Sequence, residues 1–297
     1  MGVRQTIFVS GVAIEPGEMR RIDVPVGRLV THTPMTLPVV VKRGRTGGAR
    51  LFLSACVHGD EIAGVEVIDR VLDHPALAEL SGTLIAAPIV NVYGFVTNSR
   101  YLPDRRDLNR SFPGSVTGPL ADQIAYTFLN EVVGHAHAGI DLHTGAVHRT
   151  NAPQIRADLD DPAARALGEA FGAPILMHAE VRDGSLRQAA RERGAAVIVY
   201  EGGEALRFDE DAIAAGVDGC LRVMVHLGML PPGSAPPPPE TQFEARKSRW
   251  VRAPTAGVLR GAVPVGARVD KGSLLGMVSD PLGDARAPML APFEGMV

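Results

Sequence analysis

Residues 51–61 read LFLSACVHGDE, an apolar run that stops abruptly at a histidine followed by two acids. The segment 51–57 has the length and character of a buried strand. From Ile62 onward the apolar residues Ile62, Val65, Ile68, Val71 and Leu72 recur at helical spacing. Open α/β sheets hold their ligands at the carboxyl ends of their strands, which is where His58, Asp60 and Glu61 fall. His58 and Glu61 stand three residues apart, so one turn of backbone can aim both at a single point. A divalent metal is the economical occupant of that point.

The same strand-then-helix alternation continues outward. Segments 21–29 and 37–42 read as short strands broken by Gly and Pro, and 82–90 (GTLIAAPIV) as a second buried strand. Helical spacing returns over 120–133, 161–171, 185–193 and 209–227, with strands at 139–142, 174–178 and 195–200. Strands alternating with helices predict a three-layer α/β/α domain. Residues 100–114, RYLPDRRDLNRSFPG, are too charged and too proline-rich for a regular element. PPGSAPPPPE at 231–240 is a stiff polyproline-type linker and the clearest boundary in the chain. The expected organisation is strands and turns over 1–48, a domain at 49–230, the linker at 231–240, and a small all-β domain of biotinyl/lipoyl-like type at 241–297. An APxxG echo at 290–297 suggests that the second half of that β-domain is cut short, unless residues 1–48 supply its missing strands. Exposed edges in such a domain would suit a homo-oligomer.

At 297 residues the chain can bury a sizeable core, and 45% hydrophobic with 21% charged residues is ordinary for a soluble protein. A formal net charge of −3 and the lack of a long basic run argue against a nucleic-acid binder. Cys56 and Cys220 both sit in apolar surroundings and read as buried free thiols, which suits a reducing cytoplasm. The amino terminus lacks the apolar run of a signal peptide. No stretch approaches the ~20 apolar residues of a membrane helix.

His58 with Glu61, His143 and Glu201 each follow an apolar strand, and strand ends in one sheet lie side by side. His58, Glu61 and His143 would make a His₂Glu zinc set of the kind that keeps one position open for water. Taken singly, His58 also reads as a capping turn, Glu61 as a solvated first-turn acid, and His143 as a hydrogen-bonded strand-end histidine. Asp141 could orient His143 or merely tie down the turn. His135, His137, His148 and Lys271 read as structural or solvated, and Glu204 is a rival base to Glu201.

HGDE at 58–61, DLNRSFPG at 107–114, DLHTG at 141–145 and YEGG at 200–203 occur in that order. Together they resemble the succinylglutamate desuccinylase/aspartoacylase family, a branch of the zinc carboxypeptidase-like hydrolases, over roughly residues 20–297. The resemblance implies a cytoplasmic amide hydrolase with one zinc ion per chain, held by His58, Glu61 and His143. It implies Glu201 as general base, Asn109 and Arg110 as the grip on a substrate carboxylate, and Arg100 as the group that polarises the scissile carbonyl. Arg105 and Arg106 lie close enough to compete for that last role.

The chemistry suits the residues. Amide hydrolysis at neutral pH needs an activated water, and zinc lowers the pKa of a water towards ~7. A carboxylate such as Glu201 can shuttle the proton, and an arginine reads a planar carboxylate in bidentate fashion. The expected activity is cleavage of the amide of a small N-acyl amino acid or related carboxylate-bearing molecule. A metallocarboxypeptidase acting on short peptides and a non-catalytic metal or metabolite-binding protein are the rival readings.

Overall fold

The computed structural model describes residues 6–29, 31–283 and 285–297, so the readings made on residues 1–5 lie outside the described residues. The chain divides into two compact units, Met1–Ala245 and Arg246–Val297. The first begins with a hairpin, β1 (Ile7–Val9) and β2 (Val12–Ile14), followed by β3 (Met19–Arg28), β4 (Pro34–Arg43) and β5 (Thr46–Ala55). Then come α1 (Ala63–Asp73), β6 (Ser81–Ala87), α2 (Val92–Val96), α3 (Leu120–Glu131), β7 (Ala138–Gly145) and β8 (Asn151–Ala157). The unit closes with α4 (Pro162–Phe171), β9 (Ile175–His178), α5 (Leu186–Glu192), β10 (Ala196–Glu204), α6 (Glu210–His226) and β11 (Phe243–Ala245).

Nine strands form one mixed sheet in the order β11-β9-β8-β10-β7-β5-β6-β4-β3. β5, β6, β7 and β10 run parallel to their partners in this centre, whereas β8 runs antiparallel to β10 and β4 antiparallel to β6. Because side chains alternate across a strand, each strand feeds two cores. Leu51, Leu53 and Ala55 of β5 join Ile140, Leu142, Ile198 and Tyr200 in the layer under α1, α4 and α6. Phe52 faces the other way, with Ile85, Phe128 of α3 and Ala189 of α5. This is the expected three-layer α/β/α arrangement.

Two boundaries differ from the sequence reading. The strands within 1–48 do not join a β-domain: β4 pairs with β6 and extends the central sheet, with β3 at its edge. Phe243–Ala245, which falls in the expected β-domain, pairs with β9 as the opposite edge strand, so the compact unit continues through the proline-rich linker to Ala245. β8 was not legible at all. It carries Pro153, and its pairing with β10 is irregular between Asn151 and Gln154, an interruption at which a proline is tolerated.

The second unit is all-β. β12 (Val258–Gly261), β14 (Leu274–Ser279) and β15 (Arg286–Leu290) form an antiparallel sheet, and β13 (Arg268–Val269) pairs with β16 (Gly295–Met296). Cys56 and Cys220 are buried free thiols. No helix among the described residues is long and apolar enough to cross a membrane.

Phe52 shows how tightly the central layer is fitted. It is fully buried and meets Phe128 edge to face with ring centroids 6.2 Å apart. A Cβ on Gly139 of the neighbouring β7 would come within 2.1 Å of the Phe52 ring, so that glycine makes room for it. Phe52→Ala is expected to cost about 3–5 kcal/mol of stability, read as a lowered urea midpoint; a loss below about 1 kcal/mol would show that the layer collapses freely around the gap.

Candidate metal centre

The site begins where β5 ends. Cys56 adopts a left-handed backbone (φ 49°) that breaks the strand, and the exit of β6 is bonded to the exit of β5 through Val90 N–H to Ala55 O and Asn91 N–H to Cys56 O. Asn91, fully buried, caps α2 through Gly94 N–H and donates from its amide to Arg100 O. Gly94 in turn presses against Gly59: a Cβ on Gly59 would lie 2.1 Å from the Gly94 carbonyl carbon. The glycine of HGDE therefore permits a backbone contact that locks the loop. Within it, Glu61 N–H donates to His58 O at 3.1 Å, so the pair stands on a tight turn just before α1 rather than on the helix itself.

Register supplies the third residue. Ile140 and Leu142 of β7 face the α1 layer, so Asp141 and His143 face the other. All three expected ligands are buried, and they converge. Glu61 Oε1 lies 2.8 Å from His58 Nδ1 and Glu61 Oε2 lies 2.6 Å from His143 Nδ1. The two imidazoles meet at 4.9 Å between centroids, and one donor atom from each residue lies within 4.8 Å of the others.

The far side of each imidazole is held by an acid. His58 Nε2 faces Asp107 Oδ1 at 3.2 Å, and His143 Nε2 faces Asp141 Oδ2 at 2.7 Å. Each imidazole thus stands between two carboxylates, Glu61 at Nδ1 and an aspartate at Nε2. A carboxylate only accepts, so without a metal both ring nitrogens donate, and a metal bound at Nδ1 would leave the ring proton on Nε2. Asp141 is fixed by Ser54 Oγ at 2.7 Å, and Asp107 also accepts from Asn109 N–H at 2.9 Å. Asp107 and Ser54 are parts of the site that sequence reading passed over; Asp107 at least lies inside the quoted DLNR motif.

With the Nδ1 protons removed, two nitrogen lone pairs and a carboxylate face one another at these distances and need a cation between them. This donor set fits zinc, and His58, Glu61 and His143 would hold it. With protons as the alternative, burial disfavours charge on either ring, yet the surrounding carboxylates raise His58 above the ordinary imidazole value and His143 well above it. Burial likewise opposes ionisation of Glu61, but His58 and His143 pull its pKa far below the carboxylate range. Asp60, buried by its neighbours and repelled by Glu61, is shifted upward; its Oδ1 has no hydrogen-bond partner, and it is not part of the converging group.

Arg100 reaches the same cluster, donating to Glu61 Oε1 at 3.2 Å and Asp107 Oδ2 at 3.0 Å, whereas Arg105 and Arg106 are exposed. Asn109 lies one turn away, its Oδ1 accepting from Leu186 N–H at 2.9 Å at the start of α5. Arg110 is exposed and donates to the Asn109 carbonyl; it does not enter the cluster's hydrogen bonds. Glu201 stands directly opposite His143 in the parallel β7–β10 register, on the same face. Its oxygens are taken by Asn151 Nδ2 at 2.6 Å and Arg156 Nη1 at 2.9 Å, both from β8, the strand that sequence reading missed.

The residues set aside in the sequence stay apart. His137 precedes β7 at the opposite end from His143 and pairs with Arg50 at 3.0 Å. His148 N–H donates to Glu204 Oε1. A second cluster of Asp158, Asp160 and His178 also brings three donor atoms together. There His178 Nδ1 already accepts from Leu159 N–H, which puts the ring proton on the nitrogen facing Asp160, and Asp158 is paired with Arg191 at 3.2 Å. That chemistry is an ion-paired turn.

Two outcomes follow from this geometry. Because the metal-free imidazoles hold protons above their ordinary value of 6.5, metal must displace them, so affinity should rise with pH through the neutral range. Calorimetric titration in buffers of different ionisation enthalpy should show proton release; heats independent of buffer would contradict it. Gly59→Ala should push the loop off α2 and weaken metal binding at least as much as loss of a supporting group, about 10–100-fold. Unchanged affinity would mean that the loop tolerates the added methyl.

The family model for the succinylglutamate desuccinylase/aspartoacylase catalytic domain matches residues 47–227. The chain is 29% identical over 265 residues to the N-alpha-acetyl-L-2,4-diaminobutyric acid deacetylase of Halomonas elongata, covering 85% of this chain and 77% of that one. It is 28% identical over 204 residues to the succinylglutamate desuccinylase of Burkholderia cenocepacia, covering 61% of this chain and 57% of that one. Among solved structures, the ectoine utilization protein of Ruegeria pomeroyi has the same fold at a TM-score of 0.81 and 24% identity, over 96% of this chain and 90% of that one. A succinylglutamate desuccinylase/aspartoacylase of Rhodobacter sphaeroides gives 0.78 at 26% identity, over 94% and 89%. The family match runs from β5 through α6 and takes in all three converging donors, and the chain belongs to the succinylglutamate desuccinylase/aspartoacylase family.

Proposed function

We propose that the chain is a zinc-dependent deacylase that hydrolyses the amide of a small N-acyl amino acid. The observation that carries this reading is the buried convergence of His58, Glu61 and His143, with Glu201 opposite His143 in the sheet register. Membership of the family, and relatives named for removing acetyl or succinyl groups from amino acids, support amide hydrolysis of small acyl amino acids.

Zinc in this position supplies Lewis acidity, polarising a carbonyl and making water a useful nucleophile near neutral pH. The protein does the rest. Glu201 takes the proton of the attacking water and returns it to the leaving amine. Arg100, anchored on Asp107, presents a fixed cation at the cluster's edge, where it can share the charge that builds on the carbonyl oxygen. Asn109 and Arg110 bind the carboxylate of the amino-acid half. With the Asn109 oxygen committed to Leu186, its amide N–H groups are left to donate, and the exposed Arg110 guanidinium can swing to a ligand. The loop carrying them is braced by the turn before α5, where Phe112 N–H donates to Gly184 O and Gly184 (φ +72°) packs on the Arg110 backbone.

Glu201→Gln should lower kcat by about 10²–10⁴-fold, the usual contribution of a positioned base, with metal content retained. Full turnover of an N-acetyl amino acid by that variant would remove Glu201 from the reaction. Arg110→Ala should raise KM for carboxylate-bearing substrates with little change in kcat, as expected for lost ground-state binding; an unchanged KM would show that the carboxylate is held elsewhere.

A further inference from the structure

Glu201 occupies an awkward place for a base. Directly opposite His143 on a neighbouring strand about 4.8 Å away, and on the same face, it has the reach to become a fourth protein ligand. That would fill the position a hydrolytic site must keep open for water. Yet its two oxygens are taken by Asn151 and Arg156, and it takes no part in the converging donor group.

Both groups that hold it lie on β8, on the side of β10 away from β7. Glu201 pairs with Gln154; Arg156 stands opposite Val199 on one side of that pair and Asn151 opposite Gly203 on the other. The two donors therefore grip the carboxylate from its two ends, Arg156 on Oε1 and Asn151 on Oε2. The irregular pairing matters to this. Three residue steps on β8, from Asn151 to Gln154, oppose two on β10, and the extra residue helps to bring the Asn151 side chain to Glu201. Gly203 (φ +74°) supplies the matching bend in β10.

We infer that Asn151 and Arg156 are positioning residues that hold Glu201 off the metal, so that it remains a base and does not become a ligand. This rests on the metal centre and the base proposed above. Arginine suits the task because it stays protonated at any working pH and its hold on an anion is directional.

Cobalt-substituted protein tests this without relying on turnover. In Arg156→Met, Glu201 should fall onto the metal. The visible spectrum of the cobalt protein should change, and metal affinity, measured by competition with a chromophoric chelator, should tighten by on the order of tenfold, the scale on which groups around a ligand set act. kcat should drop with KM nearly unchanged. Adding Glu201→Gln to Arg156→Met should return the affinity to that of Glu201→Gln alone. Arg156→Lys should behave between wild type and Arg156→Met. Asn151→Ala, which removes no charge from the sheet, should shift affinity in the same direction by less, so the inference does not hang on the folding of one variant.

Wild-type spectrum and affinity in both Arg156→Met and Asn151→Ala would overturn the clamp and leave the proposed activity standing. A wild-type chain that takes up no cobalt would overturn the metal centre and the clamp together. Hydrolysis that survives Glu201→Gln would overturn the base alone, while the affinity comparison would still decide whether the carboxylate is held away.

Discussion

Two imidazole Nδ1 atoms and the Glu61 carboxylate are buried face to face within hydrogen-bonding distance, an arrangement that needs either protons or a metal cation between them. Most of the surrounding structure serves to keep it so. Asp107 and Asp141 hold the Nε2 sides of the two rings, Ser54 fixes Asp141, and Arg100 balances the acids on the side of Glu61 and Asp107. The charge within the cluster is thus shared among several groups, none of which is free to turn away. Such a site would exchange protons for metal on loading, and without metal its groups are tightly coupled ion pairs.

The sheet gives these groups their positions. Alternation along β7 turns Asp141 and His143 towards the same layer, and the parallel register places Glu201 beside His143. Across β10 the antiparallel β8 lends Arg156 and Asn151 to Glu201. The proposed ligand, base and clamp therefore lie in sequence across three adjacent strands, β7, β10 and β8. The loops contribute His58, Glu61 and Arg100, which are brought in by the contact between Gly59 and Gly94 and by the buried Asn91.

Much of this was legible in the sequence because burial leaves a pattern. β5, β6, β7 and β10 lie at the centre of the sheet, so they read as continuous apolar runs, and the polar residues at their ends stood out. His58, Glu61, His143 and Glu201 were found in that way. β8 left no such trace. NAPQIRA at 151–157 is mostly half-buried, carries a proline and presents polar side chains to the site, so it resembles a loop. Arg156 and Asn151 were missed with it, since a residue that acts by gripping another has no motif of its own. The boundary near residue 245 was missed for a related reason: β11 is three residues long and is a strand only because β9 offers it an edge. Arg100 could not be told from Arg105 and Arg106 by spacing, because the choice depends on Asn91 holding the Arg100 backbone in three dimensions.

We propose that this cluster holds a catalytic metal ion. The most direct measurement is a titration of metal-stripped protein with zinc, following bound metal and hydrolysis of an N-acetyl amino acid in the same sample. Activity should be absent at the start, rise in proportion to bound zinc and saturate near one ion per chain, with His143→Ala binding little and staying inactive. Full hydrolysis by the stripped protein, or undiminished zinc binding by His143→Ala, would contradict it.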